Sequence, residues 1–207
     1  MRRRTQVLLV AVLAACSAAL AVGVATASRS IEVTPTAIRA TSPALTIVED
    51  LNGISIICHV TLEGELHRVI GKVMSALTGL VTAGRVGECT TDSILYSATG
   101  TLTLFSWHLK YVGYFGTLPS ITGILFFLEK FNVLFVFRSF GATVAQCLYG
   151  GRIGFTALGT LAREFERLTV QAGQRLTLIA TLEPDCAVSG TVRGTFTLAT
   201  AVTMRLL

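Results

Sequence analysis

Charge is scarce in this chain: Asp, Glu, Lys and Arg make up 14% of its 207 residues, against about a quarter in an ordinary globular protein. Lysine is rarer still, with Lys72, Lys110 and Lys130 set against fourteen arginines. No basic cluster survives beyond the first residues, so the chain lacks the electrostatic footprint of a nucleic-acid binder. Proline occurs four times and never in a run, and there is no Ser-rich or low-complexity stretch. Nothing marks a linker, which leaves one domain. The sequence contains no Cys-x-x-Cys pair, which speaks against a structural zinc site. It also lacks a Gly-x-Ser-x-Gly elbow, which speaks against a serine hydrolase of that type. The Arg excess beside many Ala, Gly, Val and Thr has the look of a high-GC genome and carries no function.

What is present begins with a leader. Arg2, Arg3 and Arg4 precede an apolar, Ala-rich stretch from Gln6 to Val24, and Ala25-Thr26-Ala27 is a small-x-small cleavage site. Residues 1–27 therefore read as a secretory signal, with residues 28–207 as the exported domain. Leu13-Ala14-Ala15-Cys16 offers a competing reading as a lipobox, in which Cys16 carries lipid and holds the protein at a membrane. The continued apolar run after Cys16 favours release. Removing the leader takes three arginines and no acids, so the net charge drops from +5 to +2.

Four cysteines then remain: Cys58, Cys89, Cys147 and Cys186. An even count in an exported chain reads as two disulfides. Three connectivities exist; Cys58–Cys89 and Cys147–Cys186 are favoured because each closes a modest loop. Each would contribute roughly 3–4 kcal/mol on the chain-entropy account.

Period-two alternation dominates the rest. From Cys186 to Leu206 the even positions are largely apolar, with Thr, Ser and Arg between them. That places them on one face of a pleated strand. So long a run should break, near Leu198 to Ala201 or by bulges at Gly190 or Gly194. Ile56, Cys58, Val60, Leu62 and Leu66 share a face opposite His59, Glu63 and His67. Phe105, Trp107, Leu109, Tyr111 and Phe115 share another, and Leu176 to Leu182 alternates likewise. Weaker strands are expected at 30–34, 44–50, 69–74, 78–82, 93–99 and 143–149. Residues 121–140, ITGILFFLEKFNVLFVFRSF, do not alternate. They predict a hairpin turning at Glu129-Lys130-Phe131-Asn132, with a buried helix as the alternative. One short helix is expected near 158–168, where Leu161, Phe165 and Leu168 have helical spacing. The fold class is all-β, an antiparallel β-sandwich or partly closed barrel.

Chemistry is thinly signalled. His59 and His67 could share a metal only through a turn at Glu63-Gly64-Glu65, and solvent-facing strand positions are the simpler account. Two acids for glycoside hydrolysis could come from Glu63, Glu88, Asp92, Glu129 and Asp185, but the sequence singles out no pair. The aromatic band at Trp107 to Phe115 has core parity rather than that of a sugar platform. No catalytic, metal or cofactor residue is assigned.

The leader, the strand "ISIICHVTLEGEL" (54–66), the central "WHLKYVGYFGTLPSITGI" (107–124) and the closing "CAVSGTVRGTFTLATAVTMRLL" (186–207) resemble small secreted disulfide-containing β proteins of high-GC Gram-positive bacteria. That resemblance brings no activity. The expectation is an exported structural, adhesive or ligand-binding module, with cell-wall polysaccharide or protein as partner and a membrane only through Cys16. The rivals are an exported hydrolase acting on polysaccharide or lipid, and a membrane-inserted barrel with a polar lumen.

Overall fold

The computed structural model describes residues 30–116, 121–159, 164–182 and 186–207. The leader and the lipobox lie outside these, as do Asp185 and residues 117–120. Among the described residues there is no helix. Thirteen strands run β1 Ser30–Thr34, β2 Ala37–Glu49, β3 Ser55–Leu66, β4 Val69–Gly71, β5 Leu77–Thr91, β6 Ser97–Leu102 and β7 Trp107–Phe115. They continue as β8 Gly123–Ser139, β9 Ala142–Gly159, β10 Glu164–Val170, β11 Arg175–Thr181, β12 Ser189–Arg193 and β13 Thr195–Leu206.

All belong to one antiparallel sheet that bends back on itself. The ladders pass from β2 to β3, β5, β7, β8, β9, β10 and β13. They return to β2 through Thr197 beside Thr41 and Leu198 beside Ala40. The long strands β2, β3, β5, β8 and β9 continue into a second half. There β6 lies on β8, while β11 and β12 bridge β9 to β2. Among the described residues no ladder joins β5 to β6, so the sheet is partly ringed and is not a closed barrel.

Antiparallel pairing sorts the connections into two ends. The β2–β3, β5–β6, β8–β9 and β11–β12 connections share one end, called here the turn end; both chain-terminal strands, β1 and β13, reach the other. The interior is largely apolar, with Glu49, Asn132 and a few Ser and Thr side chains buried beside the hydrophobic residues. Phe126, Phe155, Phe165 and Phe196 fill the half near the termini, and Phe131, Phe135, Tyr149 and Leu176 fill the half near the turns. Such a lumen is the reverse of the polar one a water-filled membrane barrel carries. Trp107 is fully buried, stacked 4.6 Å from Phe105 and 4.9 Å from Phe131, and Leu109 and Tyr111 pack inward with it. Phe115, expected on the same face, is exposed instead, because a bulge between Tyr111 and Gly113 shifts the register.

The stretch 121–140 corrects the expectation of a hairpin or helix: it is mostly the single strand β8, and the turn comes later, at Phe140-Gly141. Its letters fail to alternate because of a bulge. Leu128 lies beside Ile153 and Phe131 beside Gly151, so Glu129 and Lys130 together face one residue of β9. The extra residue moves the buried phase from Ile124, Phe126 and Leu128 to Phe131, Val133, Phe135 and Phe137. Lys130 takes the left-handed conformation the bulge needs, with φ of 63°. The buried Asn132 amide donates to the Lys130 carbonyl at 2.7 Å. Gly150, opposite Asn132, is required by that fit, since a Cβ there would stand 2.2 Å from the Asn132 amide oxygen.

The helix expected near 158–168 is likewise corrected, because residues 158–159 end β9 and 164–168 open β10, while 160–163 lie outside the described residues. Leu161, Phe165 and Leu168 matched a helical period by coincidence of composition. Phe165 is fully buried against the ring interior from a strand. The last run divides at Gly194, separating β12 from β13, and β13 also loses register with β10 between Thr197 and Val202, over the Leu198 to Ala201 stretch where a break was expected. Either side of the division Gly190, Val192, Phe196, Leu198, Val202 and Met204 remain buried.

Candidate functional site

The four expected cysteines pair as Cys58–Cys89, with Cα atoms 4.1 Å apart, and Cys147–Cys186, at 5.7 Å. Cys58 and Cys89 are direct cross-strand partners on β3 and β5, so the first bridge reinforces one ladder. The second ties β9 to the segment entering β12. Both lie in the half nearest the turn end.

The residues weighed for chemistry stay apart. Strand β3 runs without a turn through Glu63-Gly64-Glu65. His59 and His67 are therefore eight residues apart along it, roughly 26 Å, and both are exposed. Among the described residues no group of three His, Cys, Asp or Glu is placed to hold a metal. The acids are dispersed as well. Glu63 pairs with Arg39 at 3.4 Å and Glu129 with Lys110 at 2.8 Å. Asp92 accepts from the Ser55 backbone N–H at 2.9 Å, which holds its carboxyl below the usual range. Glu88 is exposed, and Asp185 lies outside the described residues.

The arrangement that does concentrate polar chemistry was not singled out by the sequence. Glu49, the last residue of β2, is 4% exposed, and its Oε1 accepts a hydrogen bond of 2.8 Å from the hydroxyl of Tyr149 on β9. Glu49 also lines a cleft of about 520 Å³ at the turn end, together with Leu51, Tyr96, Phe137 and Ser139. Burial raises the Glu49 carboxyl above the ordinary carboxylate range, against the lowering pull of the Tyr149 hydroxyl. Burial and the neighbouring Glu49 push the Tyr149 phenol up in turn. Its sequence neighbour Asp50 points to the other face, as strand alternation requires, and pairs there with Arg175 and Ser189. Among the described residues Glu49 is thus the single carboxylate lining the cleft. One carboxyl group can hydrogen-bond a ligand but does not make the acid and base pair of a glycoside hydrolase.

Two other concavities offer less. An open groove of about 710 Å³ beside Phe105, His108, Lys130 and Asn132 has its amide already committed to the bulge. An interior cavity of about 50 Å³ near Ala157 and Phe165 is wholly apolar, which makes it a dry packing gap.

No family model matches the chain, and neither the curated proteins nor the solved structures contain a significant match.

Proposed function

We propose that the chain is an exported, disulfide-braced β protein of the kind its sequence resembles, acting without catalysis as a ligand-binding module at or outside the cell envelope. The observation that carries this reading is the buried Glu49 carboxyl lining an open cleft together with Tyr96 and Phe137. A buried polar group among aromatic residues is the usual composition of a small-ligand site, and a carboxyl group with stacking surface suits hydroxyl-rich saccharides. The two disulfides are compatible with an oxidising compartment.

The test has two arms. Intact-mass analysis of protein from the culture medium and from the membrane fraction should find a chain starting near Ser28, without lipid on Cys16. For binding, soluble cell-wall oligosaccharides titrated against ¹⁵N-labelled protein should shift amides around Glu49 and Tyr96, and Glu49→Gln and Tyr96→Ala should each weaken binding about tenfold. Shifts scattered elsewhere, or unchanged affinity in both variants, would remove the cleft from consideration. Release of new reducing ends would instead favour the hydrolase.

A further inference from the structure

Apolar residues at the turn end are placed where folding alone does not put them. Phe140 is 98% exposed at the tip of the β8–β9 hairpin, and Ile94 is 99% exposed in the β5–β6 connection, beside Leu95. Leu51 stands 64% exposed in the β2–β3 turn, and Leu182 and Val188 are exposed on either side of the fourth connection. Single exposed apolar residues need no explanation, and the opposite end has its own in Val73, Met74 and Leu158, at 69%, 72% and 62%. What sets the turn end apart is that Phe140 and Ile94 are almost wholly free of contact with the protein.

Phe140 is also in the wrong chemistry for its turn. Ser139 and Ala142 close a two-residue hairpin in which Phe140 and Gly141 both have positive φ, 49° and 85°. A turn of that kind selects Asn, Asp or Gly at its first central position, because a bulky side chain is strained in the left-handed region. A phenylalanine that touches no core and strains its own turn is kept for something outside the protein.

The charges nearby say what that is. The three fully described connections contain two acids, Asp50 and Asp92, and no Lys or Arg. Both acids are engaged inside the protein, Asp50 with Arg175 and Ser189, Asp92 with the Ser55 backbone. These three tips can therefore enter an apolar phase without stripping water from an unpaired charge, whereas the fourth connection carries Glu183 and Asp185 in its sequence and is left out of the proposed contact. They have no basic collar of the sort that seeks anionic lipid; the base bordering Phe140 is Arg138 alone. The side chains stand on separate tips around a cleft rather than on one face. A deformable phase covers them together, and a flat protein surface does not.

We propose that the turn end docks onto a zwitterionic phospholipid bilayer, with Phe140 and Ile94 entering the interface between headgroups and acyl chains. This goes beyond the ligand reading and does not depend on it. Lipid anchoring at Cys16 is not needed for it.

The test is co-sedimentation of the disulfide-bonded mature protein with phosphatidylcholine vesicles. The wild-type chain should partition to the vesicles, and replacing a tenth of the lipid by phosphatidylglycerol should change this little. Phe140→Asn and Ile94→Ser should each lower the partition coefficient about tenfold. Because Asn suits the turn better than Phe, Phe140→Asn should melt at an equal or higher temperature than wild type, separating a docking residue from a structural one. Wild-type protein that stays in the supernatant at millimolar lipid overturns the proposal. So does an unchanged partition in both variants, a lower melting temperature for Phe140→Asn, or self-association that Phe140→Asn abolishes in the absence of vesicles. Saccharide binding at Glu49 should survive Phe140→Asn, and vesicle binding should survive Glu49→Gln, so the two readings fail separately.

Discussion

Deleting one residue from β8 should be harmless at one place and fatal a few positions on. At the bulge, Glu129 and Lys130 face one residue of β9. Deleting Lys130 leaves Leu128 beside Ile153 and Phe131 beside Gly151, and turns the bulge into regular strand. The costs are one hydrogen bond from Asn132, about 1 kcal/mol, and local twist. The gain is relief of a left-handed lysine, about 1–2 kcal/mol. The net change should lie within about 2 kcal/mol, or about 8 °C in melting temperature for a domain of this size.

Deleting Leu134 has no such outlet. If the slack is taken towards the turn, the buried Phe135 and Phe137 give way to Val136 and Arg138; if towards the bulge, Phe131 and Val133 leave the interior. Two large side chains at about 1.5–3 kcal/mol each, plus a polar residue forced inward at about 1–3 kcal/mol, make roughly 4–9 kcal/mol. That matches the whole stability of a typical domain. Trp107 reports directly, being fully buried and 4.9 Å from Phe131. Its emission should stay blue in the Lys130 deletion and shift to the red in the Leu134 deletion, with loss of the cooperative thermal transition. Equal behaviour of the two variants, folded or unfolded, would refute the assignment of the bulge and the face reversal built on it.

Two further outcomes follow from the same geometry. The raised Glu49 pKa means that the folded state holds its proton more tightly than the unfolded chain. Its contribution is therefore fully present below the ordinary carboxylate pKa of about 4.3 and is lost as pH rises through the raised value. Glu49→Gln should flatten the fall in melting temperature from pH 4 to 8 and be no less stable than wild type at pH 7; parallel profiles would contradict the burial cause. The disulfides enclose separations of 31 and 39 residues, worth about 4 kcal/mol each on the chain-entropy account. Replacing either pair by alanines should lower the melting temperature by roughly 8–16 °C, and a change below a few degrees would mean that the unfolded chain is already constrained.

Much of the architecture was legible because a strand writes its faces at a period of two. Ile56, Cys58, Val60 and Leu62, and likewise Trp107, Leu109 and Tyr111, were placed on their buried face by parity alone. Parity also put the cysteines among apolar neighbours, and the parity of the last run was kept across Gly194. It failed where a bulge inserted an odd residue, since the letters around Glu129-Lys130 look the same in a turn, a helix or a slipped strand. At Leu161, Phe165 and Leu168 a helical spacing arose in sequence that is extended at its described ends, because ladder partners far along the chain outweigh a weak local period.

The site is a different matter. Glu49 and Tyr149 are a hundred positions apart, and neither sits in a motif. A glutamate at a strand end and a tyrosine between apolar residues carry no local mark of each other. Only the sheet pairing, in which β11 and β12 bridge β9 to β2, brings them into one hydrogen bond. In the same way Leu51, Ile94 and Phe140 are unremarkable letters until antiparallel order brings their turns to one end. By itself the sequence determined fold class, inward faces and the cysteine set, since these follow from local periodicity and composition. The tertiary structure decided which distant residues meet and which apolar side chains are left facing outward, because contact across a ring depends on register, and register is settled by the whole sheet at once.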